Sequence, residues 1–442
     1  MIHVERGDPV PGGREMPAAD SAAVWCQSTT RNLLKVRDLT LTIVTNRPLH
    51  AVLVERAGPR LLELLAAALD GSGPAIAPVD AALPPSRLAE QLEALAPGSV
   101  EDTDGVITPF RSAGAEGVAE GTAVIVATSG STGAPRGAEL SAAALLHSAR
   151  ASLARIGARP GERWLCCLPA SHIAGIQVLV RSLVSGTDPV LADRADAQTV
   201  AGCGCAHVSL VPTQLLRLLD TPEVLAGFSS VLLGGAAAPA GLLDAARSAQ
   251  VPVVTTYGMT ETCGGCVYDG VPLDGVRVRT GDDERIWIGG PVLFSGYLGG
   301  PAAPADQWFR TGDLGWLDPS GRLVVRGRAD DVINTGGHKV IPGEVAAALQ
   351  ACPGVRDAAV LGLPDGEWGE MVVAVVVPED PADPPAAELL RLHVRQRLPR
   401  YAAPGRVVMV DAVPMLASGK HDLIRLRREL LRREQSEPNS VT

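Results

Sequence analysis

Thr128-Ser129-Gly130-Ser131-Thr132-Gly133-Ala134-Pro135-Arg136-Gly137, placed directly after the apolar run Thr122-Ala123-Val124-Ile125-Val126-Ala127, decides the fold. The apolar run reads as a buried strand and the stretch after it as a phosphate loop. Its glycines free the backbone to turn N–H groups inward, the hydroxyls of Thr128, Ser129, Ser131 and Thr132 add donors, and Arg136 adds charge. A flexible Gly/Ser linker would use the same residues. It would not sit between a buried strand and the amphipathic run from Ser141 to Ile156. Nor is this the P-loop of the common NTPases, which needs a Lys-Ser/Thr pair at the mouth of a helix. A polyphosphate site of another kind is expected.

Working outward, the chain of 442 residues is too long for one ordinary core, so more than one domain is expected. With 39 basic and 49 acidic residues the formal net charge is −10, which argues against a nucleic-acid or anionic-membrane partner. Aromatic residues are only 3% of the chain, so base-stacking platforms are not expected. The first residues mix Glu5, Arg6, Asp8 and Arg14 with prolines and glycines and hold no apolar leader, and no apolar run spans a bilayer. These features predict a soluble cytoplasmic protein, and a homo-oligomer is compatible with them. Cys263-Gly-Gly-Cys266 and Cys203-Gly-Cys205-Ala-His207 have metal-like spacing without a matching second pair. They read as buried thiols, and no structural metal is expected.

Alternation of strand-like and helix-like runs predicts an α/β fold. Residues 1–28 read as disordered by composition, 29–328 as one large domain, 329–434 as a small α+β C-terminal domain, and 435–442 as a loose tail. Within the large domain, short apolar runs at 163–169, 207–211, 230–233 and 251–256 read as strands of a parallel or mixed sheet. Residues 285–314 read as a smaller antiparallel β unit. The loop Ala170-Ser171-His172-Ile173-Ala174-Gly175 follows a strand, where open α/β sheets bind ligands.

Five signatures then occur in order: Thr-Ser-Gly-Ser-Thr-Gly at 128–133, Tyr-Gly-Met-Thr-Glu-Thr at 257–262, Thr-Gly-Asp-Leu-Gly at 311–315, Gly-Arg-Ala-Asp-Asp at 327–331 and Ser-Gly-Lys at 418–420. Together they resemble the acyl-adenylate-forming superfamily of acyl-CoA ligases, adenylation domains and luciferases, over about 122–425. Longer stretches, Ser171 to Ser182 and Thr256 to Val276, resemble the o-succinylbenzoate–CoA ligases of menaquinone biosynthesis. The resemblance implies a large domain of packed α/β sheets with a small β unit, and a mobile C-terminal lid. It implies an AMP-forming acid–thiol ligase whose partners are a small-molecule carboxylate, ATP, Mg²⁺ and CoA. Another aryl or acyl carboxylate–CoA ligase, or a stand-alone adenylation enzyme loading a carrier protein, fits the same motifs.

By motif position, the resemblance implies that Thr128, Ser129, Gly130, Ser131, Thr132, Gly133 and Arg136 hold the β- and γ-phosphates. Glu261 would bind Mg²⁺, with Thr260 near the α-phosphate. Gly234, Gly235, Ala236 and Tyr257 would lie against adenine, and Asp313 with Arg328 would take the ribose hydroxyls. Lys420 would bridge the carboxylate and the α-phosphate. His172, Gly258 and Met259 would line the acyl pocket, with Arg181 and the Gly264-Gly265 turn as conceivable neighbours. Asp330 would be the hinge, and Gly337 and Lys339 would border the CoA tunnel. Read alone, Glu261 is a helix cap, Asp313 a turn residue after glycine and Lys420 a solvated lysine. One departure stands out: Arg136 occupies the place of the usual lysine, exchanging a point charge for a planar fork.

Overall fold

The computed structural model describes residues 46–110, 117–129, 135–238, 240–301, 308–416 and 420–436. The expected disordered segment 1–28 lies outside them, as do Gly130, Ser131, Thr132 and Gly133 of the phosphate stretch. Two sheets of seven strands each carry most of the large domain. In the first, Thr122–Ser129 lies between Ala75–Asp80 and Pro135–Ser141. In the second, Trp164–Cys166, His207–Leu210, Ser230–Leu233 and Val253–Met259 run parallel, and Gly264–Tyr268 turns back antiparallel.

Helices Ala142–Arg155 and Ile173–Ser185 share one core with both sheets: Val124 and Leu140 meet Leu145, Ala149, Ile176 and Leu179, and these meet Cys266 and Tyr268. This explains why Ile-Ala-Gly-Ile-Gln-Val-Leu-Val is apolar all round, since a helix between two sheets has no solvent face. Gly175 is required there, because a Cβ would run into the Pro169 carbonyl.

Between the phosphate stretch and the helix after Ser141 the structure adds a strand that the sequence reading did not separate. The strand continues to Ser129 and the chain returns as Pro135–Ser141, pairing Thr128 with Arg136 and Ser129 with Pro135 antiparallel. The described ends of the stretch therefore lie on two paired strands, and the helix begins only after the second of them, with the Ser141 hydroxyl accepting from the Ala144 N–H at 3.1 Å.

The small β unit is a four-stranded antiparallel sheet of Arg277–Thr280, Arg285–Gly289, Trp308–Leu317 and Leu323–Arg328. Beyond it, Gly369–Pro378 is paired with Val355–Asp365, Ile333–Thr335 and Arg406–Met409. Its uninterrupted valines are explained by cover on both faces. Val372, Ala374 and Val376 pack under helices Pro342–Gln350 and Ala387–Arg395, while Val373, Val375 and Val377 pack under Leu423–Ser436. That last helix extends to Ser436, so the chain is still helical at the first two positions of the expected loose tail. Among the described residues no helix is long and apolar enough to cross a membrane. The seven cysteines described there are free thiols, and no group of three His, Cys, Asp or Glu side chains there is arranged for a metal ion.

The second sheet is latched at the end opposite the loops that follow its strands. Glu162 accepts from the Arg159 backbone N–H at 2.8 Å and from its guanidinium at 2.8 and 2.6 Å, and contacts His207 Nε2 at 3.1 Å. His207 Nδ1 reaches the Ser230 hydroxyl at 2.9 Å. The Arg159 bonds, backbone first, hold the Glu162 carboxyl down to about 2, from a usual 4.5. Because the folded pKa is depressed, the unfolded chain takes up the proton first. The stabilisation is then full above about pH 4.5 and lost as pH falls toward 2. Glu162→Gln should therefore lower the denaturation midpoint at pH 7 and differ less from wild type at pH 3. An equal deficit at both values would contradict the latch.

Candidate active site

The expected residues converge where the second sheet meets the small β unit. Val253–Met259 and Gly264–Tyr268 form a hairpin whose register shifts between Tyr257 and Gly258. A 3₁₀ turn, Thr260–Thr262, closes it, with Cys263 left-handed at φ +51°. The Thr262 hydroxyl accepts from the Met259 N–H at 2.9 Å and donates to the Gly264 carbonyl at 2.8 Å, which fixes the turn carrying Thr260 and Glu261. Gly258 has no room for a side chain, since a Cβ would strike the Gly264 carbonyl. Gly234 is similarly confined by the Thr256 hydroxyl, and Gly235, at φ +84°, turns the chain into Ala236 beside the end of Ser230–Leu233.

Asp313 lies inside the ten-residue strand Trp308–Leu317, and is buried, so it is not the solvated turn residue that Thr-Gly-Asp suggests alone. Its N–H donates to the Thr311 hydroxyl at 3.1 Å, and its carboxylate accepts from the Tyr257 phenol at 2.8 Å. The Arg328 guanidinium stands 3.5 Å from the same carboxylate and 3.7 Å from Asp330, which Arg285 approaches at 3.8 Å. Burial first, then the Asp313 charge, pushes the Tyr257 phenol far above its usual range, so it remains a donor.

Glu261 accepts at Oε1 from the Tyr297 phenol at 2.5 Å, and its backbone carbonyl accepts from the Phe294 N–H at 2.9 Å. The guanidinium of Arg136 lies 3.7 Å above the centre of the Tyr297 ring. Thr128, one strand over, donates its hydroxyl to the Arg136 carbonyl at 3.2 Å.

Lys420 comes from the small domain. Its pKa is lowered, by the desolvation of its surroundings and then by Arg328, while Asp313 and Glu261 raise it. These are the same groups that line the site, and Lys420 also acts on His172. By surface area the side chain is exposed, which pulls against that desolvation. The loop is pinned by the Leu416 N–H to Lys420 carbonyl bond at 2.8 Å and by His421 Nε2 to Asp357 at 2.9 Å.

His172 caps the helix Ile173–Ser185 with its backbone and is half-buried. Burial lowers its pKa, so near neutrality the ring is uncharged. Arg181, considered beside the acyl pocket, instead lies fully buried in packed structure, 4.4 Å over the Trp164 ring and bonded to the Ser209 hydroxyl at 3.0 Å. From that helix Gln177 and Ile173 meet the Gly264 turn, Gln177 donating to the Cys263 carbonyl at 2.8 Å. Gly337, at φ +79°, and Lys339 sit on the hairpin Ile333–Thr335/His338–Val340, whose His338 stacks on Tyr401 at 4.2 Å. Among the described residues Lys339 makes no ion pair. Tyr297 and Gln177 were not singled out by the sequence: Gln177 lies within the stretch Ser171 to Ser182 without a role of its own there, and the Gly-Tyr pair at 296–297 is too short a signal.

Two families of protein match parts of the chain: AMP-binding enzyme over residues 98–298 and AMP-binding enzyme C-terminal domain over 344–420. The chain is 43% identical over 386 residues to a probable 2-succinylbenzoate–CoA ligase of Mycobacterium tuberculosis, covering 83% of this chain and 94% of that one. In structure it is similar to the o-succinylbenzoate CoA synthetase of Bacillus subtilis in complex with the acyl-adenylate intermediate OSB-AMP. The TM-score is 0.73 at 27% identity, over 87% of this chain and 88% of that one. The same synthetase in complex with ATP and magnesium ion matches with a TM-score of 0.73 at 27% identity, over 88% of this chain and 90% of that one.

The Tyr257–Asp313 bond joins the second sheet to the small β unit. A hydrogen bond to a charged, buried acceptor contributes roughly 1.5–3 kcal/mol. Tyr257→Phe should lose about that much in denaturant unfolding, with unchanged secondary structure; an unchanged midpoint would mean the bond is not made.

Proposed function

Since the chain belongs to the AMP-binding enzyme family, we propose that it joins 2-succinylbenzoate to CoA in an AMP-forming reaction through an enzyme-bound acyl-adenylate. The observation that carries the reading is the bond from the Tyr257 phenol to the Asp313 carboxylate beside Arg328, on the strand that leads into the Glu261 turn, with Lys420 of the small domain under the charge of Glu261, Asp313 and Arg328. A carboxylate and a polyphosphate repel each other, and a fixed cation among hydrogen-bonded carboxylates suits both anions at once. The carboxylate attacks the α-phosphorus of ATP and pyrophosphate departs. The CoA thiol, losing its proton, then attacks the acyl carbon, and AMP leaves with the bonding pair. Menaquinone biosynthesis and a cytoplasmic setting accord with such a reaction.

In this reading the stretch from Thr128 to Gly133, with Arg136, holds the departing pyrophosphate. Gly234, Gly235 and Ala236 admit adenine close to backbone beside Tyr257, and Asp313, steadied by Arg328, accepts from the ribose hydroxyls. Lys420 holds the carboxylate against the α-phosphate, with Thr260 beside it. His172, Gly258 and Met259 wall the acyl group. Its neutral imidazole suits a wall without adding charge. The donor set fits Mg²⁺: one carboxylate, Glu261, whose Oε2 has no hydrogen bond or ion pair among the described residues, with substrate phosphates as the remaining hard oxygen ligands. Mg²⁺ bound there would offset phosphate charge.

The positions of Lys420 and of the Gly336-Gly337 turn support two poses about Asp330. The pose with Lys420 among Glu261 and Asp313 is the adenylating one, and the other would bring Gly337 and Lys339 to the site for CoA. Lys420→Ala should lose adenylation yet still convert supplied acyl-AMP with CoA; equal loss of both halves would refute the alternation. A bulky residue at Gly337 should slow thioester formation while pyrophosphate release survives. A screen of carboxylic acids for pyrophosphate release should respond to 2-succinylbenzoate, and no response to it would overturn the substrate assignment.

A further inference from the structure

Glu261 is held by a side chain outside the family signatures that the sequence displays. Tyr297 lies on the two-residue strand Gly296–Tyr297, which pairs antiparallel with Pro135–Ser141, setting Tyr297 opposite Ala138. Arg136 is two residues before Ala138 and so projects from the same face. The register therefore brings the guanidinium over the ring, 3.7 Å from its centre, while the phenol reaches Glu261 Oε1 at 2.5 Å. The ring is braced from behind by Phe294, edge-on at 5.0 Å between centres, which in turn packs edge-on against Phe309 at 5.3 Å. Phe294 also donates its N–H to the Glu261 carbonyl, so both ends of the acidic residue are fixed from one segment.

We propose that Tyr297 is a positioning residue for the Glu261 carboxylate and that Arg136, stacked on its ring, couples the phosphate hairpin to it. The inference rests on the ligase reading, in which Glu261 binds Mg²⁺ carried by ATP. With Oε1 held by the phenol, Oε2 is the oxygen left for the metal, and the carboxylate keeps one rotamer instead of several. Arginine at 136 has a physical reason within this arrangement. A planar guanidinium can lie flat on a phenol ring, whereas an ammonium in the usual lysine makes a weaker, less directional contact. The hairpin strand, the ring and the carboxylate then form one chain of contacts, through which phosphate binding and metal binding support each other.

The test is equilibrium binding of ATP by the full chain, by calorimetry, in Mg²⁺ and in EDTA. It compares wild type, Tyr297→Phe, Arg136→Lys and the double variant. Tyr297→Phe keeps the ring packed on Phe294 and removes only the donor. Loss of an outer partner of a metal ligand typically costs 10–100-fold in metal affinity. Tyr297→Phe should therefore reduce the gain in ATP affinity given by Mg²⁺ by about 10-fold or more, with binding in EDTA unchanged. Arg136→Lys should move the same gain by a smaller factor, and the double variant should show less than the product of the two effects, because the contacts are in series. Equal weakening with and without Mg²⁺ would overturn the proposal, leaving Tyr297 a packing residue, and strictly multiplicative effects would overturn the coupling through Arg136. Failure of the wild-type chain to bind ATP at all would overturn the ligase reading and this inference together.

Discussion

The bond from the Tyr257 phenol to the Asp313 carboxylate is the contact on which the arrangement depends. It crosses from the hairpin of the second sheet to the long strand of the small β unit, and so ties together the two elements that carry Glu261 and Asp313. Tyr257 leads directly into the turn that carries Thr260 and Glu261. Asp313 faces Arg328, and Arg328 shares Asp330 with Arg285 at the point where the small domain begins. A carboxylate buried to that degree is costly unless its oxygens are satisfied, and here a phenol and a guanidinium satisfy them. The individual ion pairs around Asp330 are exposed and contribute little to stability on their own.

A second constraint is charge. The chain is acidic overall, at a formal −10, yet its substrates in the proposed reaction are anions. Positive charge is accordingly brought in from separate elements. Arg136 comes from the phosphate hairpin, Arg328 from the junction strand and Lys420 from the small domain. The last is positioned by a loop pinned through His421 and Asp357, so its ammonium is presented by tertiary contacts and not by local sequence. That division accounts for Lys420 being exposed while Glu261 and Asp313 act on its charge and it acts in turn on His172.

Much of this was legible in the sequence because several sites are short, local and in order. Tyr257 to Thr262 and Thr311 to Gly315 are each a single turn or strand, so a motif carries their geometry. The valine run at 372–377 reads as a strand from its composition, although the reason, cover on both faces, needed the packing; the helix Ile173–Ser185 was not legible, since its first turn, Ile173 to Gly175, reads as part of a strand-end loop. What was not legible depended on pairing between distant strands. That Thr128 and Ser129 pair with Arg136 and Pro135, that Asp313 sits mid-strand, and that Arg136 stacks on Tyr297 all follow from register. Arg181 misled for a related reason: its position one helix turn beyond Gln177 puts it toward Trp164 and Ser209 instead of toward the Gly264 turn.

The central claim is that an acyl-adenylate forms before any thiol is involved. Incubating the protein with ATP, Mg²⁺ and 2-succinylbenzoate in the absence of CoA, and analysing the quenched mixture by mass spectrometry, tests it most directly. The account predicts the mass of the mixed anhydride of the acid with AMP, disappearing with release of AMP when CoA is added. Formation of ADP with an acyl phosphate, or of no activated acid until CoA is present, would contradict it.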